Sequence, residues 1–309
     1  MTQNPSNVGS RTAERGFIVV ATLWLLAALA GLILVGSVYM TQSAIALSAF
    51  DAATQLQMIS TAGVELAAYQ LSGAAPEVRP SHGSFTFRLA NARVAVEYQS
   101  EAARINLNMA PRSVIAGLFV ALGVESGAAS QFADRIAAWR SAPKPNVQDQ
   151  EDTLYVAAGL AYLPRHAPFS NVDELSLVLG VPAELAERAR PFLTLYSGIA
   201  GVNVLEAAPE VLSALPDMTS AKADAFLGQR DALSSNDPEF VLGILGGGVT
   251  GATVAASNAY RIRMRIILPD GRDSRSEGVI VLFDRGAKSA YRVFTWRDDI
   301  DPSRGGTQR

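Results

Sequence analysis

The chain has no cysteine in its 309 residues. That absence excludes a disulfide framework, thiolate zinc sites and a cysteine nucleophile. Histidine is nearly as scarce, His82 and His166 being the two present, and this excludes a multi-histidine metal centre. Charge is thin as well: Asp, Glu, Lys and Arg make up 18 % of the residues, below the roughly 25 % of ordinary soluble domains. The 26 basic residues nearly balance the 29 acidic ones. A net charge of -3 leaves neither the footprint of a strongly basic nucleic-acid binder nor an acidic tail. Apolar residues fill the gap, at 49 % of the chain with a mean hydropathy of +0.18. The length allows one large or two modest domains whose cores need no cross-link.

The apolar excess concentrates in one run. Phe17 to Met40 carries no charge, and as a helix it extends about 36 Å, enough to cross a ~30 Å hydrocarbon layer. Secretory signal peptides have apolar regions of about 7 to 15 residues ending in a small-residue cleavage site, which this run does not match. Arg11 and Arg15 precede it and the next basic residue is Arg79. The positive-inside rule therefore leaves the N-terminus in the cytoplasm and translocates the rest. Residues 41–72 are Ala-rich and proline-free. Helical spacing there puts Ile45, Phe50, Met58, Val64, Leu66 and Leu71 mostly on one side, so one helix runs on and stops near Gly73 and Pro76.

Strand signals follow in Gly83 to Leu89 and Arg93 to Tyr98, with Ala90-Asn91-Ala92 as the turn of a hairpin. They return only in Tyr260 to Leu268, Gly278 to Phe283 and Tyr291 to Trp296, so a helical insertion splits the sheet. Within the first of these late strands Arg261, Arg263 and Arg265 alternate with apolar residues. They read as a solvated strand face paired with carboxylates such as Glu277, with a phosphate or partner patch as the alternative.

The insertion holds imperfect repeats. Ile105-Asn106-Leu107-Asn108-Met109-Ala110-Pro111 and Val202-Asn203-Val204-Leu205-Glu206-Ala207-Ala208-Pro209 each lead Asn and then Pro into an apolar helix, a combination that bonds turn backbone and opens a helix. Short turns at Gly123, Gly180 and Pro216-Asp217-Met218 then pair helices in a manner that resembles helix-hairpin-helix units. DNA-binding hairpins present glycine backbone N–H groups to phosphate. Here Asp217-Met218-Thr219 occupies that turn, and from Asn203 to Asp231 acids outnumber bases, which argues against nucleic acid. The Gly246–Gly251 string GGGVTG matches a dinucleotide fingerprint only formally, because no helix follows it inside a βαβ unit, and it reads as flexible linker. Neither histidine is paired in sequence with a serine and an acid, so no catalytic constellation emerges.

The leader ending Glu14-Arg15-Gly16, followed by Phe17 opening the apolar helix, resembles the N-terminus of type IV prepilins and pseudopilins. The resemblance implies that a prepilin peptidase cuts between Gly16 and Phe17 and that Phe17 becomes the N-methylated first residue. Family members usually carry glutamate at the fifth mature position, where Ala21 stands here. That absence is similar to the minor pseudopilin K family of the type II secretion pathway. A second match lies in Glu151, Asp152, Tyr155, Gly159, Leu160, Tyr162, Pro164, Arg165, Pro168, Phe169, Glu174 and Leu175, with His166 in place of the family asparagine. The K family implies calcium in the helical domain. Asp149, Glu151 and Asp152 are candidate calcium ligands, the alternative being a solvated acidic loop, and Arg140 stands where the family has a carboxylate.

The expectation is an α+β fold. A pilin-like N-terminal helix, transmembrane in its first half, packs on an antiparallel sheet, and a large all-α helix-hairpin-helix (SAM-like) domain is inserted between strands. The expected layout is a leader 1–16, helix 17–72 with its span at 17–40, sheet 73–104, inserted domain and Gly-rich linker 105–256, sheet 257–297 and tail 298–309. The resemblance implies a non-enzymatic minor pseudopilin at the tip of a periplasmic pseudopilus, single-pass in the bacterial inner membrane. Its implied partners are I-, J- and H-type minor pseudopilins, the major pseudopilin and prepilin peptidase, with no nucleic acid. A minor pilin priming a type IV pilus or competence filament is the alternative.

Overall fold

A computed structural model describes residues 11–143, 150–233, 235–283 and 288–298. Most of the expected leader and tail, together with the candidate ligand Asp149, lie outside the described residues. The chain divides into two units, residues 1–58 and 59–309. The helix α1, Arg11–Gly73, contributes to both.

In the first unit, Val19–Met40 is long and apolar enough to cross a membrane, and its side chains are exposed throughout. In the second unit the end of α1 packs on a sheet. Its buried stripe is Ile59, Ser60, Gly63, Val64, Ala67, Ala68 and Leu71. This corrects the expected stripe: Val64 and Leu71 are buried, but Met58 and Leu66 are exposed. The physical reason is close approach, since a side chain at Gly63 would collide with Met264 and small residues let the helix axis sit near the strands. The helix stops before Pro76, where Arg79 Nε donates to the Leu71 carbonyl at 2.9 Å, satisfying one of the last-turn acceptors.

The five-stranded antiparallel sheet has the order β1-β2-β7-β8-β9. The hairpin β1 (His82–Leu89) and β2 (Ala92–Ser100) closes through Ala90 and Asn91, both at positive φ. The late strands are β7 (Ala259–Ile267), β8 (Asp273–Leu282) and β9 (Tyr291–Asp298). Strand β8 begins five residues before the expected Gly278, because its polar first half pairs with the arginine-bearing half of β7. Val94, Val96, Ile262, Met264 and Ile266 form the buried face of the sheet.

Between β2 and β7 the insertion is mostly helical, but it is not all-α. Two short parallel pairs join it, β3 (Ile105–Asn106) with β4 (Leu193–Thr194) and β5 (Val202–Asn203) with β6 (Ala252–Thr253). Its helices are α2 (Arg112–Ala121), α3 (Ser126–Trp139), α4 (Gln150–Ala157), α5 (Ala183–Ala189), α6 (Pro209–Ser213), α7 (Ser220–Gln229) and α8 (Pro238–Ile244). They enclose a core built around Ile105, Leu118, Phe119, Ile136, Tyr155 and Phe226. The glycine string after α8 is not slack linker: Gly251 leads into β6, and its carbonyl accepts from Val202 N at 2.7 Å.

The repeats hold at the level of single hydrogen bonds. Asn106 Oδ1 accepts from Asn108 N and Asn203 Oδ1 from Leu205 N, each at 3.0 Å. Ala110 N donates to Asn106 O, and Ala207 N donates to Asn203 O. Each unit is closed by the arginine ending its later helix, Arg140 donating to the Leu107 and Ala110 carbonyls and Arg230 to the Ala207 carbonyl. The Asn–Pro pattern thus marks a strand-turn-helix unit used twice.

Candidate assembly surfaces and the charged centre

Gly16, Phe17 and Ala21 all lie on α1. Phe17 is 76 % exposed, and Trp24, Leu32, Val35 and Tyr39 are exposed as well. A helix that is apolar all round is suited to lipid or to other apolar helices. Ala21 brings no charge to that environment, where an unpaired ion is costly.

Of the candidate calcium ligands, Glu151 and Asp152 are described, and each faces a basic side chain. Glu151 and Asp152 open α4, but Glu151 Oε1 is 3.4 Å from Arg135 NH1 and Asp152 Oδ1 is 2.8 Å from His166 Nε2. Among the described residues no group of three or more ligating side chains forms a metal site. Calcium wants six to eight oxygens, and Glu151 and Asp152 are engaged by Arg135 and His166. Nearby, Arg165, Trp139 and Ser170 converge on Glu174, which ties the Pro164–Phe169 loop to α3. Hydrogen bonds from Ser170 and Trp139, with the Arg165 charge, outweigh burial and hold the Glu174 carboxyl below its ordinary value.

His82 also meets an acid. Its Nδ1 is 2.9 Å from Glu206 Oε2, and Ser81 Oγ donates to Glu206 Oε1 at 2.5 Å. Both groups spend their contacts on the carboxylate, so this trio lacks the serine-to-histidine bond of a nucleophile. It fastens the second repeat to the start of β1.

The strongest electrostatic feature carries no sequence motif. Glu101 follows β2 in a 3-10 turn and is fully buried. Arg261 Nε donates to its Oε1 at 2.8 Å, Arg104 NH1 donates to Oε1 at 3.0 Å, and Thr194 Oγ1 donates to Oε2. Arg261 reaches on to Glu277 at 2.8 Å, and Arg104 Nε donates to the Pro191 carbonyl at 3.0 Å. Arg261 is therefore no solvated strand residue, although its pairing with Glu277 is as expected. Burial pushes the Glu101 carboxyl up, but Arg261 and Arg104 outweigh it and hold the group at about 2. Burial also lowers Arg104, to about 10, because Arg261 repels it and Glu101 only partly compensates. Arg261, with two carboxylates, is raised despite burial. This centre joins β2, β7 and β8 to β4, where the insertion leaves and re-enters the sheet. No periodicity marks residue 101; the only signal is an acid three residues before a base at a strand end.

Comparison with known proteins sets these features in context. Residues 87–198 match the family described as "Type II secretion system (T2SS), protein K". A chain in the crystal structure of the GspK-GspI-GspJ complex from the enterotoxigenic Escherichia coli type 2 secretion system is similar in fold, with a TM-score of 0.58 and 19 % identity. The alignment covers 80 % of the present chain and 97 % of that one. No curated protein matches the chain.

Proposed function

We infer that this chain, whose residues 87–198 match the type II secretion system protein K family, is a minor pseudopilin of that system. The family match from the end of β1 through β2 and the first repeat to β4 is the observation that carries the reading. The apolar first half of α1 supports it, as the element by which such a subunit would sit in a membrane before assembly and against neighbouring helices afterwards.

The position we propose within the filament is the tip. Ala21 supplies no carboxylate to the amine of a preceding subunit, whereas the Phe17 amine remains able to receive one from a neighbour. The insertion places a large body between strands β2 and β7, where a subunit stacked above would need room. I-type and J-type minor pseudopilins are the proposed partners, with H-type and the major pseudopilin beyond them. Prepilin peptidase would act between Gly16 and Phe17 at the cytoplasmic face of the inner membrane, leaving residues after the span in the periplasm. The role is assembly rather than catalysis, and calorimetric titration with calcium tests the candidate ligands: heat and a raised melting temperature would support metal in the insertion, and the absence of both would remove it.

In-cell cross-linking from exposed positions of the insertion tests the tip assignment. Products with other minor pseudopilins at one filament end are expected; products with major subunits along the shaft would sink it. Mass spectrometry of the mature protein is expected to find methylated Phe17 as the first residue, and an intact leader would remove the processing step.

A further inference from the structure

The outer face of the sheet, opposite α1, reads as rows of paired residues. At the level of Glu97 the row is Ser84, Glu97, Arg263, Glu277 and Arg297, in which the charges alternate and offset one another. Two rows nearer the hairpin turn do not. One runs Arg88, Arg93, Ile267, Asp273 and the other Thr86, Ala95, Arg265, Arg275. Like charges thus stand directly opposite each other twice, an arrangement that destabilises a sheet. Asp273 is the acid of these two rows, and it is occupied by Arg265, which donates to it from Nε and NH2 at 2.9 and 2.7 Å. Arg275 approaches it only to 3.9 Å. Arg88 and Arg93 are exposed, and neither has a carboxylate partner among the described residues. They border an open notch with Asn91 and Ile267. The two-residue turn at Ala90 and Asn91 fixes the register that keeps the two guanidinium groups together.

We propose that this arginine corner is a docking surface for an acidic segment of another protein. The charge is complementary, and a guanidinium fork matches a carboxylate through two parallel hydrogen bonds. All four cations are arginine, the basic residue enriched in protein interfaces. A nucleic acid fits less well, since its evenly spaced phosphates would meet Asp273 and Glu97 within the same face, and the whole chain is net negative. The surface is independent of α1 and of the tip assignment, and its test does not use other pseudopilins.

The test is fluorescence anisotropy with the full-length protein in neutral nanodiscs, using a labelled short poly-glutamate peptide as probe and a short DNA duplex for comparison. Poly-glutamate binding that weakens with salt is expected, reduced about tenfold or more in R88E/R93E. Arg112→Glu, remote in sequence and on α2, is expected to bind like the wild type. R88Q/R93Q, which removes the like-charge pair, is expected to lose the same binding and to melt at or above the wild-type temperature; R88E/R93E exchanges one like-charge pair for another and reports on binding. Unchanged binding in both double variants, no binding at low salt, or tighter binding of the duplex than of the peptide would each overturn the proposal.

Discussion

One face of one sheet carries charge at both ends, under opposite conditions. Where the insertion joins, Arg261 and Arg104 are buried against Glu101, and every cation has a carboxylate or carbonyl to meet. Toward the hairpin turn, Arg88 faces Arg93 in water, with no acid paired to either among the described residues. Arginine is the common residue, so its identity decides neither outcome. Burial with matched partners makes the first group a joint between sheet and insertion. Exposure without partners makes the second a cost to the fold, which a partner protein can offset.

The difference is broken most severely at Glu101. In Glu101→Ala the two arginines stay buried with their central carboxylate gone, and the cost is expected to reach about 3 to 5 kcal/mol in denaturation of the detergent-solubilised chain. Glu97→Ala, an exposed acid on the same face, is the comparison, expected within about 0.5 kcal/mol of wild type. Acid sharpens the contrast next. The Glu101 carboxyl falls from its usual 4.5 to about 2 on folding, so its stabilisation is present above about 4.5 and lost as pH falls toward 2. That is worth about 3 kcal/mol, and Glu101→Gln should flatten stability over this pH window. The smallest effect belongs to the hairpin end. Arg93→Glu is expected to raise stability by up to about 1 kcal/mol, with a gain that shrinks as salt screens the pair; a loss of stability would mean the two arginines are not in conflict.

Local grammar explains which parts were legible beforehand. Apolar length marked the span, alternation marked the strands to within a few residues, and Asn–Pro spacing marked both repeats. Burial on α1 departs from the apolar spacing because Ser60, Gly63, Ala67 and Ala68, all small, line the contact, while the bulkier Met58 and Leu66 face outward. The start of β8 was missed because its polar residues serve the outer face. Glu101 and Arg261 are 160 residues apart, and only the fold brings them together. In the acidic loop, sequence shows the carboxylates but not that Arg135 and His166 meet Glu151 and Asp152.

Co-expression tests most directly the proposal that this chain works as a K-type minor pseudopilin. The full chain, tagged and extracted in mild detergent, is combined with the I-type and J-type minor pseudopilins of the same system. A stoichiometric ternary complex is predicted, with the chain's mature N-terminus at Phe17. An I–J pair that forms without it, or recovery only with type IV pilins, would contradict the account.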